Sequence, residues 1–160
     1  MSKYTYIICG KLYNGIDAEF KEGDKILVKD NKIESFCREI PQPETAEVVD
    51  LSDATVTPGM IDAHMHMDYI DWHTIREEVY TTSEEAKTIA IIRTAQKTLS
   101  RGFTTVRNPG GITSNGFGVL DVKRAIEKGY ITGSRIVAAP RFLCAAGSHG
   151  DLSLFLYYNV

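Results

Sequence analysis

The sequence predicts an α/β protein in which a short all-β stretch precedes strands that alternate with helices along a parallel sheet. Two observations carry this. Residues 1–57 read as brief apolar runs parted by turn-forming pairs, and after Pro58-Gly59 the rhythm becomes strand, helix, strand, helix, strand, the sign of βαβ units. Hydrophobic residues at 43% and charged residues at 24% of 160 exclude a disordered or fibrous chain and leave enough apolar side chain for an ordinary core. The expected division is a small β segment over 1–57 and an α/β segment over 58–160.

In the first segment Thr5 to Leu12 forms a strand, and Asn14-Gly15 supplies a pair that tolerates positive φ at the following turn. Lys25 to Val28 and Lys32 to Ile40 make two more strands joined at Asp30-Asn31, a pair suited to a tight hairpin. Pro41-Gln42-Pro43 breaks the pattern before Ala46 to Leu51 opens another strand. A small antiparallel unit is expected.

In the second segment the first strand is expected over Met60 to Met67. Thr82, with Glu85 three residues on, has capping-box spacing for a helix whose face is marked by Ile89, Ile92, Ala95, Gln96 and Leu99 and which stops at Gly102. Phe103 to Arg107 makes the second strand, and Asn108-Pro109-Gly110-Gly111 a sharp loop. A second helix spans Val119 to Lys128 and closes at Gly129; Arg135 to Ala139 makes the third strand. The last nine residues, LSLFLYYNV, are apolar and β-prone, an exposed edge of the kind that invites aggregation.

The net charge of -3 and pI near 5.8, with Lys3, Lys21, Lys87, Arg101, Lys123 and Arg135 scattered, exclude a basic stripe for nucleic acid. No apolar run approaches the roughly 18 residues of a membrane helix, and the apolar core near the N-terminus is shorter than a secretory signal requires. A soluble, cytoplasmic protein is expected. Cys9, Cys37 and Cys144 are odd in number and far apart, so neither a disulfide framework nor a cysteine zinc site is signalled.

The chemistry concentrates in PGMIDAHMHMDYID, Pro58 to Asp71. Side chains alternate along a strand, so His64 and His66 share a face with Met60 and Asp62. Two imidazoles at that spacing can converge on one ion, although a bare HxH also arises by chance, and zinc, iron, nickel and manganese all accept nitrogen ligands. Their place at the C-terminal end of the first strand of a βα series is where parallel barrels and open sheets assemble sites. Asp62, two residues earlier, is positioned to accept a ring N–H as a group supporting the ligands. Asp68 and Asp71 read as surface loop acids, and His73 has no partner at metal-ligand spacing. Arg107 either binds an anionic substrate group or pairs with an acid such as Asp62.

VTPGMIDAHMHMD resembles the signature of the metal-dependent amidohydrolase superfamily. GFTTVRNPGG at Gly102 to Gly111, AIEKGYITGSR at Ala125 to Arg135, and GSHGD at Gly147 to Asp151 resemble further segments of its imidazolonepropionase-like and prolidase-like dipeptidase branch, in the same order. The chain departs from that pattern at Asn108, where an Asp is common, and at Ser148, where a glycine is.

The resemblance implies a (β/α)8 TIM barrel, of which about three βα units are present, preceded by a small β-sandwich segment. It implies His64 and His66 as ligands of one or two divalent ions, zinc first among them. It also implies hydrolysis of a C–N bond in a dipeptide, N-acyl amino acid or cyclic amide by a metal-activated water. His149 is then either a pocket residue that polarises a carbonyl or holds a carboxylate, or a solvated loop histidine. The remaining ligands and the proton-shuttle aspartate are expected beyond residue 160, since such a barrel needs about 250 residues. The chain is thus expected to be an N-terminal portion, inactive alone and completed by a C-terminal segment or an oligomer. The alternative is a non-catalytic fragment that binds metal weakly or associates with another chain.

Overall fold

The computed structural model describes residues 2–68, 82–111, 117–148 and 151. They form two compact units, Met1–Pro58 and Gly59–Val160. Among the described residues no helix is long and apolar enough to cross a membrane.

The first unit is one five-stranded sheet. It contains β1 (Tyr4–Leu12), β2 (Lys21–Glu22), β3 (Lys25–Lys29), β4 (Lys32–Cys37) and β5 (Glu47–Val56). The hairpin between β3 and β4 turns at Asp30, whose φ of 56° is the left-handed conformation that Asp tolerates. The sheet is mixed rather than antiparallel: β5 runs parallel to β1 from Thr5 against Glu47 to Leu12 against Val56. Period-two alternation reports which face a residue takes but not which way its strand runs, so the direction of β5 was not readable. Register shifts between Cys9 and Lys11, where a Cβ on Gly10 would strike the Ser52 carbonyl. Glycine permits that close approach of two backbones. Cys9, Leu12 and Ile26 make the buried centre of this sheet.

The second unit is a parallel three-stranded sheet with helices. Its described elements are β6 (Met60–Asp62), α1 (Glu84–Ser100), β7 (Phe103–Asn108), α2 (Gly118–Glu127) and β8 (Arg135–Ala138), with sheet order β6-β7-β8. Asp62, Val106 and Ile136 lie side by side, and their face carries the core: Val106 and Ile136 pack with Met67, Ile91, Ala95 and Val122. Each such buried Val, Ile or Met contributes about 1.5–3 kcal/mol relative to exposure.

Three expectations need correction. Helix α1 is capped by Ser83, whose hydroxyl accepts the Ala86 N–H at 3.2 Å, one residue later than the expected Thr82. Its buried face is Lys87, Ile91 and Ala95, while Ile89 is 66% exposed. The run Ile89-Ala90-Ile91-Ile92 offers apolar residues on two faces, and i,i+4 continuity with Ala95 settles the phase. Lys87 joins that face by burying its stem and reaching Glu84 at 2.9 Å. Regular strand β6 ends at Asp62 rather than Met67.

The C-terminal end of α1 is tied to the sheet. Gly102, at φ 88°, turns the chain into β7. The fully buried Ser134 hydroxyl lies 2.6 Å from the Phe103 carbonyl and 2.9 Å from Thr98 Oγ1. This lock fixes where β7, and therefore the loop after it, begins.

Candidate metal centre

Beyond β6 the chain continues as a short arm over residues 63–68 held along β7. The Met65 N–H donates to the Arg107 carbonyl at 3.0 Å, and the Arg107 guanidinium returns a bond to the Ala63 carbonyl at 3.1 Å. The Met67 N–H donates to Asn108 Oδ1 at 3.1 Å. Met65 and Met67 pack on the core cluster, and the intervening His64 and His66 carry the polar chemistry.

The two imidazoles lie edge to face, ring centroids 5.2 Å apart at 81°. His66 Nδ1 lies 2.8 Å from the Gly110 carbonyl, and the His66 ring meets Phe142 at 5.4 Å and 61°. Among the described residues no group of three or more His, Cys, Asp and Glu forms a possible metal site.

Asp62 accepts the His64 backbone N–H through Oδ1 at 3.0 Å, which shapes the turn that presents His64. The bond of a ring nitrogen to a fixed acceptor falls to Gly110, a backbone group that no side-chain pattern signals. Arg107 forms no ion pair with Asp62 among the described residues; the expected pairing is replaced by its bond to Ala63. Asp68, expected at the surface, is 2% exposed, with its carboxylate packed where a Cβ on Gly111 would fall. Asn108 is equally buried, and within the described residues its Nδ2 has no hydrogen-bond partner.

His149, Asp71 and His73 lie outside the described residues. The Gly147 N–H donates to Asp151 Oδ2 and the Asp151 N–H to the Ser148 carbonyl, both at 2.9 Å.

The model of the amidohydrolase family matches residues 55–149, which include the arm, β7 and the loops after β7 and β8. The chain belongs to the amidohydrolase family. Among solved amidohydrolase-like structures, a Xaa-Pro dipeptidase with methionine bound in its active site is 29% identical with a TM-score of 0.81. The match covers 93% of this chain and 36% of that one. A prolidase complexed with N-methylphosphonate-L-proline is 25% identical over 93% of this chain and 35% of its own, with a TM-score of 0.77. The A. niger ochratoxinase, at 24% identity and TM-score 0.76 over 96% of this chain and 35% of its own, shares the fold.

Among curated proteins, the adenine deaminase of Lactobacillus delbrueckii subsp. bulgaricus is 45% identical over 47 residues, 29% of this amidohydrolase chain and 8% of that protein. Adenine deaminase 4 of Rhizobium meliloti is 36% identical over 69 residues, 42% of this chain and 11% of its own. The chain therefore spans about a third of the solved structures and about a tenth of the curated relatives it matches.

Proposed function

We propose that these 160 residues are the N-terminal portion of a metal-dependent amidohydrolase that hydrolyses a C–N bond in a dipeptide, N-acyl amino acid or cyclic amide. In this reading β6, β7 and β8 are the first three strands of a (β/α)8 barrel, and the first unit is part of a small β-sandwich. The observation that carries it is the His64–His66 pair, two imidazoles spaced for one ion at the C-terminal end of a parallel strand. Family membership and the dipeptidase and prolidase neighbours support the same chemistry.

A divalent ion held by His64 and His66, zinc in this proposal, supplies Lewis acidity toward a substrate carbonyl and lowers the pKa of water toward 7. The chain's own residues do the rest of what this portion contributes. Asp62 sets the backbone turn at His64, and Asn108 anchors the arm after His66. Arg107, exposed on β7 and already bound to Ala63, and His149 are the proposed contacts for an anionic or carbonyl group of the substrate. Two imidazoles fill two of the four positions of a tetrahedral ion, where catalytic zinc usually has three protein ligands. The remaining donors and the acid that protonates the leaving amine are assigned to sequence or a subunit outside these residues.

Titrating the chain with Zn2+ under native mass spectrometry and calorimetry tests this. One weakly held ion is expected, lost in both His64→Ala and His66→Ala. A tightly held stoichiometric ion, or turnover of N-acyl amino acids by the isolated chain, refutes the assignment of a partial site. Absence of any His-dependent binding favours a non-catalytic fragment. Joined to a segment that supplies the remaining barrel strands, the chain is expected to hydrolyse N-acyl amino acids or dipeptides. Release of ammonia from adenine instead would place it with the deaminase relatives.

A further inference from the structure

We propose that Gly110 and Phe142 are positioning residues for His66, the carbonyl fixing the imidazole tautomer and the phenyl ring fixing its plane. Three segments distant in sequence meet on one side chain here: the arm at residue 66, the loop after β7 and the loop after β8. The Gly110 oxygen, 2.8 Å from Nδ1, is a carbonyl and only accepts, so Nδ1 carries the proton. The lone pair then resides on Nε2. In water the neutral histidine ring favours the opposite tautomer, so the contact selects a form the side chain would not adopt by itself.

The loop is built to deliver that carbonyl. Gly110 has φ 137°, a conformation L side chains rarely take. A Cβ there would stand 2.7 Å from Phe142 Cδ1, 3.0 Å from the Phe142 nitrogen and 3.1 Å from the Arg141 carbonyl carbon. Two of those three atoms are backbone and do not swing away. The same Phe142 that crowds Gly110 lies with its ring 5.4 Å from the His66 ring, so the two loops brace each other and the imidazole together.

The consequence for a metal rests on the function proposed above: a ligand held in the Nδ1–H form presents Nε2 to the ion, and outer partners of this kind typically govern metal affinity by about 10–100-fold. The tautomer itself stands on geometry alone. The test is long-range 1H–15N NMR of the metal-free chain labelled in its histidines, above the pH at which they titrate, with His66 assigned by the signal lost in His66→Gln. The Nδ1–H form is expected to exceed the Nε2–H form several-fold, and a dominant Nε2–H form overturns the proposal. Gly110→Ala should return His66 toward the Nε2–H form. Phe142→Leu, which leaves the glycine backbone untouched, should raise the minor tautomer and weaken any Zn2+ binding about ten-fold. A folded Phe142→Leu chain with the wild-type tautomer ratio and Zn2+ affinity removes Phe142 from the device. An Nδ1–H ring in a chain that binds no Zn2+ upholds the clamp while refuting the metal reading. Zn2+ binding with an Nε2–H ring does the reverse.

Discussion

Replacing Asn108 by Ala removes the acceptor of the Met67 N–H, and the structure sets the size of the loss. Both residues are essentially inaccessible, Met67 at 0% and Asn108 at 1%, so water does not readily replace the 3.1 Å bond from Met67 N to Asn108 Oδ1. Leaving the Met67 N–H buried without an acceptor costs about 1–3 kcal/mol. Against this, the substitution also removes Asn108 Nδ2, a buried donor with no partner among the described residues, whose own burial penalty is about 1 kcal/mol at the low end of the same range. The net is an increase of about 0–2 kcal/mol in the ease of opening the arm, centred near 1 kcal/mol, which corresponds to a factor of about five. Amide hydrogen exchange at Met67, referenced to Val106 in the same unit, should therefore accelerate about five-fold. Asn108→Leu restores most of the lost volume without an acceptor and should accelerate Met67 similarly. Wild-type protection of Met67 in the leucine variant would refute the claim that Asn108 anchors the arm.

Three further outcomes are expected. Ile91→Ala, at a fully buried site in the core cluster, should destabilise the second unit by about 2–5 kcal/mol in urea denaturation, while Ile89→Ala should stay within about 0.5 kcal/mol; equal losses would contradict the helix phase. Ser83→Ala should cost about 0.5–2 kcal/mol through loss of the cap, and Thr82→Ala clearly less by the same measurement. Burial, and secondarily the Asp24 charge, pushes the Cys9 thiol up. Thiol titration near pH 8 should accordingly modify the exposed Cys37 and Cys144 well before Cys9. As pH rises through the range between the unfolded and folded values, the unfolded thiol loses its proton first, so the stability of the first unit should fall there.

The parts of the fold that were legible in the sequence are those where one local rule acts alone. Asp30-Asn31 turned the hairpin because its φ/ψ demand is met within the turn. Gly102 and Gly129 ended helices for the same reason, at φ 88° and 72°. His64 and His66 could be paired because the methionines that alternate with them are held by the core. What was missed depends on partners distant in sequence. The burial of Asp68 against Gly111, the parallel direction of β5 and the role of the Gly110 carbonyl each need the tertiary fold. Asp62 meets the His64 N–H locally, as a carboxylate two residues before a turn N–H readily does.

The pattern of contacts on the arm bears on how much of the proposed centre is present in these residues. Residues 63–68 are fixed at four points, by the Arg107 carbonyl, the Arg107 guanidinium, the Asn108 amide and the Gly110 carbonyl. All four belong to β7 or the loop that follows it. Two of the four holds are backbone carbonyls that side-chain substitution does not remove, and Met65 and Met67 secure the arm from its core side. The geometry of the two imidazoles is thus a product of β6, β7, the core beneath them and, through the Phe142 ring against His66, the loop after β8. Donors arriving from elsewhere would complete the coordination of an ion; they would not have to shape the ligands that receive it.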